Sequence, residues 1–229
     1  AGYFNSSATF SGTTISNNGF NGAYLAKYND SGSFQWIKKG GSDDDDAEAN
    51  CVAVDENGYI YSAGYYRGTA TFGSTTLTSA GSTDMFLVKY DQSGNVVWAK
   101  SAGGPYEDIA YGLSIDTVNH LIYMTGQIDN SGYFGSRYVG GAGNRDVFIA
   151  AYETSGSVDW VKAYGGSNRD IGYAIAHGNS GNIFTTGIYT RSATFQSITL
   201  SGDTISDFYI EKTSPAPAVE PTIQSSGLS

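Results

Sequence analysis

The apolar residues of this chain come in short runs, such as residues 59–66 (YIYSAGYY), 85–90 (MFLVKY) and 147–152 (VFIAAY), each bounded by Gly, Asn, Asp or Ser. β-Branched and aromatic side chains dominate these runs, which therefore read as strands ended by turns. Several lack the strict alternation expected of a sheet with one wet face, as strands covered on both faces do. The pattern repeats. Trp36, Trp98 and Trp160 are 62 residues apart, and the same interval links Tyr28, Tyr90 and Tyr152, then Gly32, Gly94 and Gly156. Phe10, Phe72 and Phe134 keep it, as do Gly2, Gly64 and Gly126, with Phe195 and Gly187 one residue early in the last copy. A repeat period of this length is the organising fact of the chain.

Each unit predicts four strands. Strand A is ANCVAVD (49–55), AYGLSID (110–116) or GYAIAHG (172–178); strand B is residues 59–66, LIYMTGQI (121–128) or NIFTTGIY (182–189). Strand C is DMFLVKYD (84–91), DVFIAAYE (146–153) or DFYIEKT (207–213), and strand D is NVVWAKSAGG (95–104) and its equivalents. Between B and C an insertion such as RGTATFGSTTLTSAGST (67–83) predicts a further hairpin or a long surface loop. Four-stranded antiparallel units that repeat and are covered on both faces point to an all-β chain, a β-propeller of four-stranded blades.

The spaced residues in EDIAYGLSID, LIYMTG and TATFGSTTLTSAGSTDMFLVKYDQSGNVVWAK, with their matching copies over residues 1–212, resemble the SBBP-type β-propeller repeats of bacterial secreted and cell-surface proteins. That resemblance implies an architecture and an extracellular or cell-surface location, and it implies no shared catalytic activity. The units divide as a partial unit 1–41, units 42–104 and 105–166, and a partial unit 167–212, about three and a half copies. Residues 1–4 (AGYF) align with residues 63–66 (AGYY), inside strand B, and the last copy lacks a tryptophan strand. The expectation is part of a larger propeller, completed by further N-terminal blades or by a second chain. Residues 213–229 (TSPAPAVEPTIQSSGLS) read as an extended linker towards a possible Ig-like domain.

Composition and charge narrow the partners. A 229-residue chain with 40% hydrophobic content can bury a sizeable core, and its 31 glycines and 18 tyrosines suit strands and tight turns. A net charge of −10 argues against a nucleic-acid partner, which needs a basic face. No apolar run is long enough for a membrane-spanning helix, so no membrane insertion is expected. Cys51 is the single cysteine, and its apolar setting reads as a buried structural thiol.

The candidate chemistry is sparse. Asp43, Asp44, Asp45 and Asp46 form the densest charge; consecutive aspartates point in different directions, so a solvated loop is expected, with calcium the alternative cofactor. The repeated Asp84, Asp146 and Asp207 before strand C are read as bonding turn amides. Tyr106, Tyr111, Tyr164 and Tyr173 are the possible ligand-facing aromatics, since tyrosine suits sugars and proteins alike. His120 and His177 read as turn histidines, and no nucleophile, acid pair or metal spacing stands out, so no enzyme is expected. The functional expectation is a scaffold or adhesion module that contacts proteins or glycans. The alternatives are a carbohydrate-binding or glycan-hydrolysing propeller, and a structural subunit of an extracellular assembly.

Overall fold

The computed structural model describes residues 1–42, 44–178 and 181–213, which form antiparallel sheets without a helix. The first repeat unit supplies β1 (Gly2–Phe10), β2 (Thr13–Tyr28) and β3 (Phe34–Gly40), paired in that order. The second supplies β4 (Ala47–Val54), β5 (Ile60–Tyr66), β6 (Thr69–Phe72), β7 (Thr75–Thr78), β8 (Asp84–Tyr90) and β9 (Val96–Gly103). The third supplies β10 (Ile109–Asp116), β11 (Leu121–Phe134), β12 (Arg137–Glu153) and β13 (Val158–Tyr164). The last supplies β14 (Ile171–His177), β15 (Ile183–Phe195) and β16 (Ile198–Thr213). In the middle units the strands pair β4-β5-β8-β9 and β10-β11-β12-β13, and two residue pairs from β11 to β9 join them into one eight-stranded sheet.

The insertion between strands B and C is a hairpin arm. In the second unit it is the separate pair β6-β7; elsewhere strands B and C run on into it past a register shift, as between Asp129 and Ser131. The turns are just as regular: Asp91 accepts amide hydrogens from Ser93 (2.9 Å) and Asn95 (2.8 Å), and Gly94 takes φ of 77° to close the hairpin before β9. Asn29 plays the aspartate's part in the first unit, bonding Ser33 N at 2.8 Å. These are short side chains that bond the backbone locally, beside a glycine free to adopt positive φ.

Every strand A bulges against strand B at one place. Register shifts fall between Ala49 and Cys51, Ala110 and Gly112, and Gly172 and Ala174. Opposite the first residue of each stand Gly64, Gly126 and Gly187, where a Cβ would strike the carbonyl oxygens of Glu48, Ile109 and Ile171. This explains the glycine spacing in the sequence: the backbone of strand A occupies the side-chain space.

Consecutive units stack face to face. β10 lies against both β4 and β14, and the core runs across the unit boundaries. Ala23 and Leu25 of the first unit pack with Ile60, Phe86, Val88 and Tyr90 of the second; Met85 and Leu87 of the second pack with Met124, Phe148 and Ala150 of the third. Ile149 continues the series against Ile175 and Ile183.

Candidate interaction cleft and the repeat signature

In the first and second units the repeated tryptophan and a lysine reach into the following unit. Trp36 Nε1 and Lys27 Nζ both donate to the carbonyl of Gln92, at 3.3 and 3.1 Å. Trp98 Nε1 and Lys89 Nζ donate to the carbonyl of Thr154 at the same two distances, 3.3 and 3.1 Å. The accepting residues sit in the hairpin that precedes strand D of the following unit. The hairpin glycine completes the contact: a Cβ on Gly94 would come within 3.2 Å of the Trp36 ring, and one on Gly156 within 3.2 Å of Trp98. Glycine is thus required twice, for its φ and for the ring laid over it. Trp36, Trp98, Gly94 and Gly156 form a clasp between units, with Lys89 also over the Tyr59 ring at 4.1 Å. Trp160 packs near Tyr123, with ring centroids 6.2 Å apart.

A second set of buried groups also repeats. Asp84 and Asp108 both crowd Gly103, with Asp84 Oδ1 3.0 Å and Asp108 Oδ2 2.9 Å from where its Cβ would lie. Asp146 and Asp170 converge in the same way on Gly165. All four side chains are buried. Asp108 accepts from Gly104 N (2.6 Å) and Asp129 N (2.8 Å), and Asp170 from Gly166 N (2.7 Å) and Thr190 N (3.1 Å). Asp84 and Asp146 do bond turn amides, from Ala80 (3.0 Å) and Gly143 (3.1 Å), yet Oδ1 of each finds no donor among the described residues. Desolvation, with a minor contribution from the neighbouring carboxylate, pushes Asp108 up to about 7 and Asp170 up to about 6. Burial raises Asp84 and Asp146 as well.

The open feature is a cleft of about 560 Å³ beside β2. β1 pairs with β2 only as far as Gly2↔Tyr24, so along residues 25–28 the edge of β2 facing β1 has no strand partner among the described residues. In the second unit the equivalent stretch of β8 is covered by β5, through Ile60↔Tyr90, Tyr61↔Lys89, Ser62↔Val88 and Ala63↔Leu87. The cleft floor is Leu25, Tyr28, Trp36, Val52 and Val54, and its rim carries Lys27, Asp55, Glu56 and Gln92. On β4, Val52 is 44% and Val54 59% exposed.

The other candidate residues are placed as follows. Asp43 lies outside the described residues, as do residues 214–229 of the expected linker. Asp44 accepts from Asn18 Nδ2 at 3.3 Å, Asp46 from Asn21 N at 3.0 Å, and Asp45 touches Gly68, so these aspartates turn to different partners. Among the described residues no three His, Cys, Asp or Glu side chains are grouped to hold a metal. Tyr106 is exposed, and Tyr111 and Tyr173 meet edge to face at 5.4 Å on adjacent A strands. Tyr164 is drawn instead into packing against Phe195, at 6.2 Å. Arg145 pairs with Glu107 at 3.0 Å, and both lie in the electrostatic surroundings of Tyr111. His177 is no free turn residue: its ring stacks on Tyr123 and Nε2 lies 3.0 Å from Asp116 Oδ2. The Cys51 thiol bonds the Ala63 carbonyl, and burial pushes it up to about 12, which keeps it protonated and inert.

No family model matches the chain. Over 177 residues, 63% of its length, it is 26% identical to an uncharacterized WD repeat-containing protein, L264, of Acanthamoeba polyphaga mimivirus. The match spans 13% of that much longer protein. The similarity is distant and suggests a β-propeller-like repeat class, in keeping with the all-β antiparallel sheets.

Proposed function

We propose that this chain is a non-enzymatic interaction module of β-propeller type, built from four-stranded SBBP-like blades, that acts as a scaffold and contacts a protein partner through its loops. The carrying observation is the clasp between units, in which Trp36 and Lys27 bond the Gln92 carbonyl and Trp98 and Lys89 bond the Thr154 carbonyl. The repeated tryptophans, lysines and glycines are engaged in holding units together, and that supports a scaffold role. On this reading the module works outside the cell or on a bacterial cell surface, as the SBBP resemblance implies.

A screen of glycosidase substrates is expected to show no turnover by this chain. Clear turnover abolished by one acidic substitution would sink the reading. A second reading, a glycan-binding or glycan-hydrolysing face, draws on the Tyr111–Tyr173 pair near Arg145 and Glu107. A glycan array with a Tyr173→Ala control tests it.

A further inference from the structure

The four hairpin arms place one cross-strand pair at the same spot. In register these pairs are Thr9↔Thr14, Thr71↔Thr76, Tyr133↔Tyr138 and Thr194↔Thr199. All of these side chains are exposed, while the alternating neighbours Phe72, Phe134 and Phe195 turn into the core. The three threonine pairs bond hydroxyl to hydroxyl, at 2.9, 3.2 and 3.0 Å. The third arm carries instead two tyrosines, 58% and 61% exposed, with ring centroids 5.4 Å apart and ring planes at 61°. A second position changes with them. Two residues beyond each pair stand Ser16, Thr78 and Ser201, but Gly140 in the third arm. A Cβ on Gly140 would lie 3.4 Å from the Tyr138 hydroxyl and 3.7 Å from its ring, so the glycine leaves room for that ring along the strand. Neither change is needed to build an arm, since threonine pairs close the other three.

We infer that Tyr133 and Tyr138 form a carbohydrate-binding site, on which a neutral hexopyranose chain stacks the C–H face of a sugar ring. Tyrosine offers a flat apolar face with a hydroxyl at its edge, which matches the C–H face and hydroxyl rim of a pyranose. Size favours a sugar over a protein. Two tyrosines present about 150–250 Å² each, well short of the roughly 800 Å² that a stable protein interface takes from each partner. Their neighbours on the same face, Ser131 and Gly140, add little apolar area. Charge selects among stacking ligands: a net charge of −10 repels acidic polysaccharides and nucleic acids, which leaves an uncharged chain. Arg137 alternates to the other face of the arm and donates through Nε to the Val158 carbonyl at 3.2 Å, so it supplies no cation to the pair. The third unit is internal, with described units on both sides, so the exposure of the pair owes nothing to either end of the chain. The site is separate from the Tyr111–Tyr173 pair, which lies on the A strands.

Isothermal titration of the 229-residue chain with cellohexaose, laminarihexaose and maltohexaose is expected to show binding of at least one of them, with a Kd of about 1 mM or tighter. The double variant Tyr133→Thr, Tyr138→Thr gives the third arm the pair that the other three already carry. It should therefore melt as the parent does by circular dichroism, and bind the sugar at least about tenfold more weakly. No binding of any of the three sugars by the parent chain overturns the inference, as does undiminished binding in the double variant. A double variant that melts lower while keeping its affinity would make the pair a strut of the arm and also overturns it. Self-association that disappears in the double variant, with no sugar bound by the parent, would assign the pair to a protein contact instead. Binding lost in Tyr173→Ala but kept in the double variant would place the sugar at the Tyr111–Tyr173 pair, so the two sites are told apart.

Discussion

Gly126→Ala is expected to leave little folded protein, with a loss of more than about 4 kcal/mol, beyond the ordinary range for one substitution. The added methyl would meet the Ile109 carbonyl oxygen, and it would come within 2.8 Å of the Phe148 ring and 2.9 Å of Ala110 Cα. Two of those three neighbours are backbone of the paired strand, so no rotamer change relieves the overlap; β10 itself would have to leave β11. β10 is the strand held between β4 and β14, so the damage spreads to both neighbouring units. Chemical denaturation measures the effect. Gly12→Ala is the control, because Gly12 has positive φ (85°) and nothing within 4 Å, so it carries only backbone strain. Similar losses for the two variants would contradict the close-approach explanation.

The second large effect is in pH. Asp108 and Asp170 have pKa values pushed up to about 7 and about 6, against 3.8 unperturbed. Folding therefore takes up protons between about pH 4 and 7. A raised carboxyl contributes stability that is fully present below its unfolded pKa and is lost as pH rises through its folded value. The melting temperature is expected to be higher at pH 5 than at pH 8 by at least about 5 °C, given about 2–4 °C per kcal/mol for a chain of this size. Asp84→Asn changes the unbonded Oδ1 into an N–H donor beside Asp108 while leaving an acceptor for the Ala80 amide. Asp146→Asn does the same beside Asp170. Both should raise the melting temperature at pH 8 and change it little at pH 5. Unaltered pH dependence in the double variant would show that the pairs do not titrate as described.

The strand order was legible because glycine, aromatic and tryptophan recur at one interval, and a wrong period would have scrambled all of them. Gly64, Gly126 and Gly187 could be seen to recur without any indication of the carbonyl each one admits. The tryptophans were legible as markers of strand D, but their bonding partners lie 56 residues away, on a backbone carbonyl that no side-chain pattern reveals. The aspartate pairs were half visible. Asp84 and Asp146 stand out before strand C, while Asp108 and Asp170, also 62 residues apart at the ends of PYED and SNRD, carry the same interval inside otherwise dissimilar loops. Tyr164 and Tyr106 looked alike in their loops; one packs on Phe195 and the other faces solvent, because only the first lies where the next unit's arm arrives. His177 looks like a turn residue in the sequence because its partners, Asp116 and Tyr123, belong to the preceding unit.

The central claim is that the repeated signature clasps one unit to the next. Amide hydrogen exchange in Trp98→Ala tests it most directly, because the clasp links β9 to a hairpin in a different unit. The amides of Glu153 and Gly156, bonded within the hairpin to Ser157 and Glu153, are expected to exchange at least about tenfold faster in the variant, a change of about 1.4 kcal/mol in local stability. Acceleration confined to β8 and β9, with the Glu153 and Gly156 amides as protected as in the parent chain, would contradict the account.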